Sequence, residues 1–148
     1  MRGQDTLPDK FNDIDIIFEP LCSSSAFSYY LSLKHPKKFK YVLNDNNHHL
    51  LTIYDIVTKP KELDELIYKL NNFSKDINKD KYNLLCKDDK TENWLYKHKV
   101  HSIRPGLFPL GKIKTDFSDI KNAPIIDFLK TEKITFYNDE GVNIVEHF

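Results

Sequence analysis

Glycine is scarce in this chain: four residues in 148, beside two cysteines, one tryptophan and one methionine. The scarcity matters at one place, the turn after Phe18, where serines stand in positions at which cofactor-binding turns usually carry glycine for its unusual backbone angles. Cys22 and Cys86 match no metal-ligand spacing and make no disulfide framework of the small secreted kind, so reduced thiols are expected. No charge excess is present either. Twenty-two basic residues against twenty-two acidic ones leave no global field to draw the protein to nucleic acid, and any such binding must come from a local patch. Long apolar runs are also missing: none approaches the roughly 20 residues a bilayer span needs, and the polar opening MRGQDTLPDKFNDID has no apolar signal core. The expectation is an intracellular protein, cytoplasmic or nuclear, within a viral or other large assembly, and without a membrane partner.

What is present is an alternation of element types. Ile14–Phe18 is a short β-branched run halted at Glu19-Pro20, and predicts a strand. Ser23, Ser24 and Ser25 offer helix N-caps, after which Ala26, Phe27, Tyr30, Leu31 and Leu33 predict one buried helical face. Beyond the basic turn HPKKFK, the segment from Tyr41 to Asp45 predicts a second strand that ends on a carboxylate. Leu50, Leu51, Ile53, Tyr54 and Val57 form a helical stripe, and Pro60 opens another helix with Leu63, Leu66, Ile67 and Leu70 on its inner side. Ser74 to Asp119 breaks the rhythm with charge-dense text and a Pro/Gly-punctuated piece, RPGLFPLGKIKTDFSD, expected as an irregular loop or hairpin. A short helix in APIIDFLK, a third strand from Lys133 to Asn138 and an amphipathic GVNIVEHF complete the chain. Alternation of this kind predicts an α/β fold with a parallel sheet.

In this order, FEPLCSSSAFSYYL, YVLNDNNHHLLTIYDIV, RPGLFPLGKIKTDF and KITFYNDEGVNIVE resemble the N-terminal portion of the Dam-type (D12 class) adenine-N6 DNA methyltransferases. The likeness covers most of the chain. Glu19-Pro20-Leu21-Cys22-Ser23-Ser24-Ser25-Ala26 stands where the family has D/E-P-F-x-G-S/G-G-A, the turn around S-adenosylmethionine. Asn44-Asp45-Asn46-Asn47 is similar to the family's N-D-x-N, whose carboxylate holds the cofactor ribose, and Leu50 and Tyr54 keep its spacing. Arg104-Pro105-Gly106-Leu107-Phe108 resembles an element leading into the DNA-recognition insertion, and Ile134 to Asp139 the strand that ends at the cofactor adenine. Arg2-Gly3-Gln4-Asp5-Thr6-Leu7-Pro8 resembles a worn G-G-K-x-x-L-x-P opening without its lysine.

The resemblance implies a partial Rossmann-like S-adenosylmethionine-dependent methyltransferase sheet of three parallel strands with helices, in one truncated domain, 1–148, carrying a mainly helical and loop insertion at 74–119. It implies cofactor contacts at Glu19, Ser23, Ser25, Asp45 and Asp139, and DNA contacts at Lys99, Arg104, Lys112 and Lys114. Lys97 belongs to the same basic group, which Asp88, Asp89, Glu92 and Asp116 dilute.

Three departures bear on activity. Phe148 precedes any D/N-P-P-Y/F catalytic motif, serines replace the cofactor turn's glycines, and the opening lysine is absent. The expectation is therefore a non-catalytic, structural or scaffolding subunit with no cofactor, S-adenosylmethionine being bound only if the ancestral pocket survives. Its sheet edge would be covered by a protein partner or by self-association, with DNA a weakly supported ligand. The alternative is the cofactor- and DNA-binding half of a split adenine-N6 methyltransferase completed by another chain.

Plainer roles stand beside each candidate. The serines suit a simple cap, and Asp45 a turn former. His48-His49 and His98 with His101 lack the further ligands a metal needs. Trp94, Tyr96 and Phe108 fit a small aromatic core as well as they fit base stacking.

Overall fold

The computed structural model describes residues 16–19, 22 and 25–138. Ile14, Asp15, Ser23, Ser24, Asp139, the opening segment and GVNIVEHF, all singled out above, lie outside the described residues. Among the described residues the fold is α/β, with a three-stranded parallel sheet and six α-helices. In chain order the elements are β1 (Ile16–Glu19), α1 (Ala26–Lys34), β2 (Lys40–Asn44), α2 (His48–Val57), α3 (Pro60–Ser74), α4 (Lys79–Lys87), α5 (Thr91–Val100), a 3-10 turn (Ser118–Asn122), α6 (Ile125–Thr131) and β3 (Lys133–Tyr137). They fall into two compact units, one drawn from the chain up to Leu51 and from Pro124 onward, the other Thr52–Ala123.

In the first unit β2 lies between β1 and β3, both parallel to it. Pairing of Ile17 with Tyr41 and of Tyr41 with Ile134 sets Ile17, Tyr41, Leu43, Ile134 and Phe136 on one face, because side chains alternate along a strand. Helices α1 and α6 cover that face. Phe128 of α6 meets Tyr41 edge-on at 5.2 Å and Tyr29 of α1 at 6.2 Å.

The first helix buries a different face from the one its apolar residues predict. Ser28, Leu31 and Ser32 are its buried residues, whereas Leu33 is 62% exposed. Serines can be buried there because each hydroxyl has an acceptor: Ser32 Oγ donates to the Tyr29 carbonyl at 2.6 Å, and Ser28 Oγ donates to Glu19.

The second unit is helical. Leu63, Leu66, Ile67 and Leu70 form the inner side of α3, as their spacing predicts. The segment after Ser74 contains helices α4 and α5 and then irregular chain, and no hairpin among the described residues. Tyr96 is its hub, fully buried with Phe73 at 5.4 Å and Phe117 at 5.7 Å. The Tyr96 hydroxyl is 2.8 Å from Ser74 Oγ, which donates to the Lys114 carbonyl at 2.6 Å, so the irregular stretch is tied to α3. Gly106 N–H donates to the Tyr82 hydroxyl at 3.1 Å, and Gly106 takes φ 98°, where an L-side chain would be strained. Among the described residues no helix is long and apolar enough to cross a membrane.

Candidate functional site

Parallel strands end together, so β1, β2 and β3 bring the residues that follow them to one rim of the sheet. The backbone there is closely knit. Cys22 N–H donates to the Asn44 carbonyl at 2.7 Å, Asp45 N–H to the Tyr137 carbonyl at 3.2 Å, and the Asn138 side-chain amide to the Asp45 carbonyl at 2.9 Å. Glu19, Cys22, Ser25 and Asp45 are thus among the described residues of this rim.

Ser25 occupies the N-cap position of α1, but it does not cap with its side chain. Its backbone is left-handed, φ 57° and ψ 29°, a region that costs an L-residue about 1–2 kcal/mol and that glycine enters freely. Its hydroxyl is buried without a hydrogen-bond partner of normal geometry. Of the serines expected to cap, Ser25 is the described one, and an acceptor for the first turn comes from Glu19. Its Oε1 accepts from Ser28 N–H at 2.7 Å and from the Ser28 hydroxyl, so the carboxylate at the end of β1 is turned back onto the first turn of α1. An anion at that end of a helix is also favoured by the helix dipole.

Asp45 is 9% exposed, and its Oδ1 accepts from Asn47 N–H at 2.9 Å; Asn47 Oδ1 in turn accepts from His49 N–H at 3.1 Å. These side-chain turns lead the chain into α2. Cys22 is buried at the same rim, close enough to both carboxylates to feel their charge. Burial, above all, raises its thiol to about 11; the nearby Ser25 side chain opposes the rise, and Asp45 and Glu19 add to it by smaller amounts. A thiol held protonated in this way is a poor nucleophile.

The expected DNA-contacting residues lie in the second unit. Lys99 lies in the last turn of α5, and Arg104 and Lys112 are exposed on the irregular stretch beyond it. Lys114 is engaged: its ammonium meets Asp119 at 3.0 Å and lies 5.7 Å from the Phe117 ring centre. Tyr96 is a core residue, Phe108 packs 5.5 Å from Tyr82, and Trp94 lies 4.3 Å from the His98 ring.

Sequence reasoning missed Ser28, which claims the Glu19 carboxylate, and Cys22, whose buried thiol feels both acids. The signal for Ser28 was present in its spacing: it is the third residue of the helix, where an amide lacks an intrahelical acceptor.

Open α/β sheets form their ligand crevice at the carboxyl ends of the strands, where strand order reverses and successive helices lie on opposite faces. Among the described residues the order β1-β2-β3 never reverses, and α1 and α6 share a face. Any such crevice would open beside β1. Compared with protein-family models, curated proteins and solved structures, the chain matches none.

Proposed function

We propose that this chain is a non-catalytic relative of the Dam-type adenine-N6 DNA methyltransferases that serves as a structural or scaffolding subunit. One observation carries the reading: the turn after β1. Ser25 stands where the family pattern has glycine, and it holds the left-handed conformation glycine would adopt, which supports descent from such a turn. The same residues argue against a working cofactor site. A Cβ and an orphaned hydroxyl occupy the place of the glycine, and Ser28 holds the Glu19 carboxylate that would face the ligand. Methyl transfer is therefore not its task.

The partner is a polypeptide that adds a strand along β1. Among the described residues β1 has β2 as its sole strand partner, and Ile16 is 48% exposed. The test is purification of the tagged chain from its native host alongside an Ile16→Arg variant. Wild type should retain one stoichiometric partner, and the variant should lose it with an unchanged thermal midpoint. A wild-type chain that elutes as a monomer, or a partner retained equally by the variant, defeats the proposal.

The split-enzyme alternative draws on Asp45, which stands at the carboxyl end of β2 as a ribose ligand would. It requires that the partner complex, unlike the chain alone, bind S-adenosylmethionine.

A further inference from the structure

The opposite rim of the sheet carries a feature that the methyltransferase resemblance does not address. Lys40 and Lys133 are the first residues of β2 and β3, and they are direct partners in the parallel register. Two like charges side by side on neighbouring strands destabilise a sheet. The turn before β2 brings two more, Lys37 and Lys38, and the four lysines with Phe39 and Thr131 line a cleft of about 400 Å³. In a chain of zero net charge this is a local concentration of positive potential.

Neutralisation from within is slight. Among the described residues Lys37, Lys40 and Lys133 make no ion pair, and Lys38 lies with its ammonium 5.7 Å from the Phe39 ring centre. The neighbouring carboxylate, Glu132, accepts from the Lys37 backbone N–H, 3.2 Å from each oxygen. Lys37 is itself left-handed, φ 55°, where glycine would be the less strained choice. Backbone strain and like-charge repulsion thus meet at one cleft, at the other end of a strand roughly 13 Å long from Asp45.

We propose that this cleft is an anion site for a short chain of phosphates, held by Lys37, Lys40 and Lys133. Its dimensions suit a compact polyanion. A nucleic-acid backbone would need a basic stripe, and a nucleobase would need an exposed ring, whereas Phe39 is buried at 3% exposure. The phosphates belong either to free polyphosphate or to a nucleoside triphosphate. The inference is independent of the reading given to the turn after β1.

Calorimetric titration of the full chain with sodium tripolyphosphate and with adenosine triphosphate, at fixed ionic strength, tests it. Saturable binding is expected, weaker at higher salt. Each of Lys40→Gln and Lys133→Gln should weaken it about tenfold, the loss of one charge-assisted hydrogen bond. Lys37→Gly should weaken it similarly while leaving the ligand-free thermal midpoint equal or higher, which separates binding from folding. Equal affinity for both ligands assigns the phosphate chain alone, and tighter binding of the nucleotide assigns that source. No saturable binding at millimolar ligand, or undiminished binding by the three variants while they still unfold cooperatively, overturns the proposal.

Discussion

Ser25 combines two costs in one residue: a backbone angle that a Cβ resists and a buried hydroxyl with no partner. Ser25→Gly removes both, against a loss of up to about 1 kcal/mol for the extra freedom glycine has in the unfolded chain. The variant should be more stable by about 1–2 kcal/mol in urea unfolding. A destabilised variant would mean that the hydroxyl has a partner in solution. Tyr41 poses the same question in the core, since its hydroxyl is also buried without a partner and burial raises its pKa, with Glu132 contributing. Tyr41→Phe should leave urea stability unchanged or raise it by about 1 kcal/mol, because an unsatisfied group is removed and the ring packing is kept. A loss above 1 kcal/mol would contradict this. Cys22 adds a pH dependence. Its thiol keeps its proton in the folded state up to about 11 but only to about 9.0 when unfolded, so the folded state binds more protons across that window. Stability should fall as pH rises from 9 to 11, and less so in Cys22→Ala, as base titrations of thermal midpoint would show; identical curves would remove Cys22 as a cause.

At the scale of elements, α1 depends on a carboxylate supplied by β1. Glu19→Ala leaves the buried Ser28 N–H and hydroxyl without their acceptor and should cost about 1–3 kcal/mol in urea unfolding. No measurable cost would place Glu19 outside the cap. This link also marks where sequence pattern stopped being informative. β2 and β3 were readable within a residue, since Tyr41, Val42 and Leu43 and the run from Ile134 to Tyr137 are β-formers bounded by polar residues. The stripe of α3 was readable from its spacing. The face of α1 was not, because two of its three buried positions are serines whose acceptors, Glu19 and the Tyr29 carbonyl, become visible only in three dimensions. Helical content was expected in the 74–119 insertion, but the positions of α4 and α5 within it were not readable, for a related reason. Tyr82 is the one buried residue of α4, too little to make a stripe, although Asn78 does cap it by accepting from Lys81 N–H at 2.9 Å.

Across the whole molecule, the parallel sheet has a knit, carboxylate-bearing rim at one end and a lysine-lined cleft at the other. Candidate cofactor residues were legible as a list, and Glu19, Ser25 and Asp45 do gather at the carboxyl rim. Their hydrogen bonding was not legible, because it depends on the register that brings Ser28 to Glu19 and Asn138 to the Asp45 carbonyl. The Glu19 carboxylate and Asp45 Oδ1 already accept from the fold's own donors, which leaves less for a ligand to replace. The most direct test is calorimetric titration of the intact chain with S-adenosylmethionine. No saturable heat is expected up to millimolar concentration, whereas saturable binding at micromolar concentration would show that the turn after β1 is a working cofactor site.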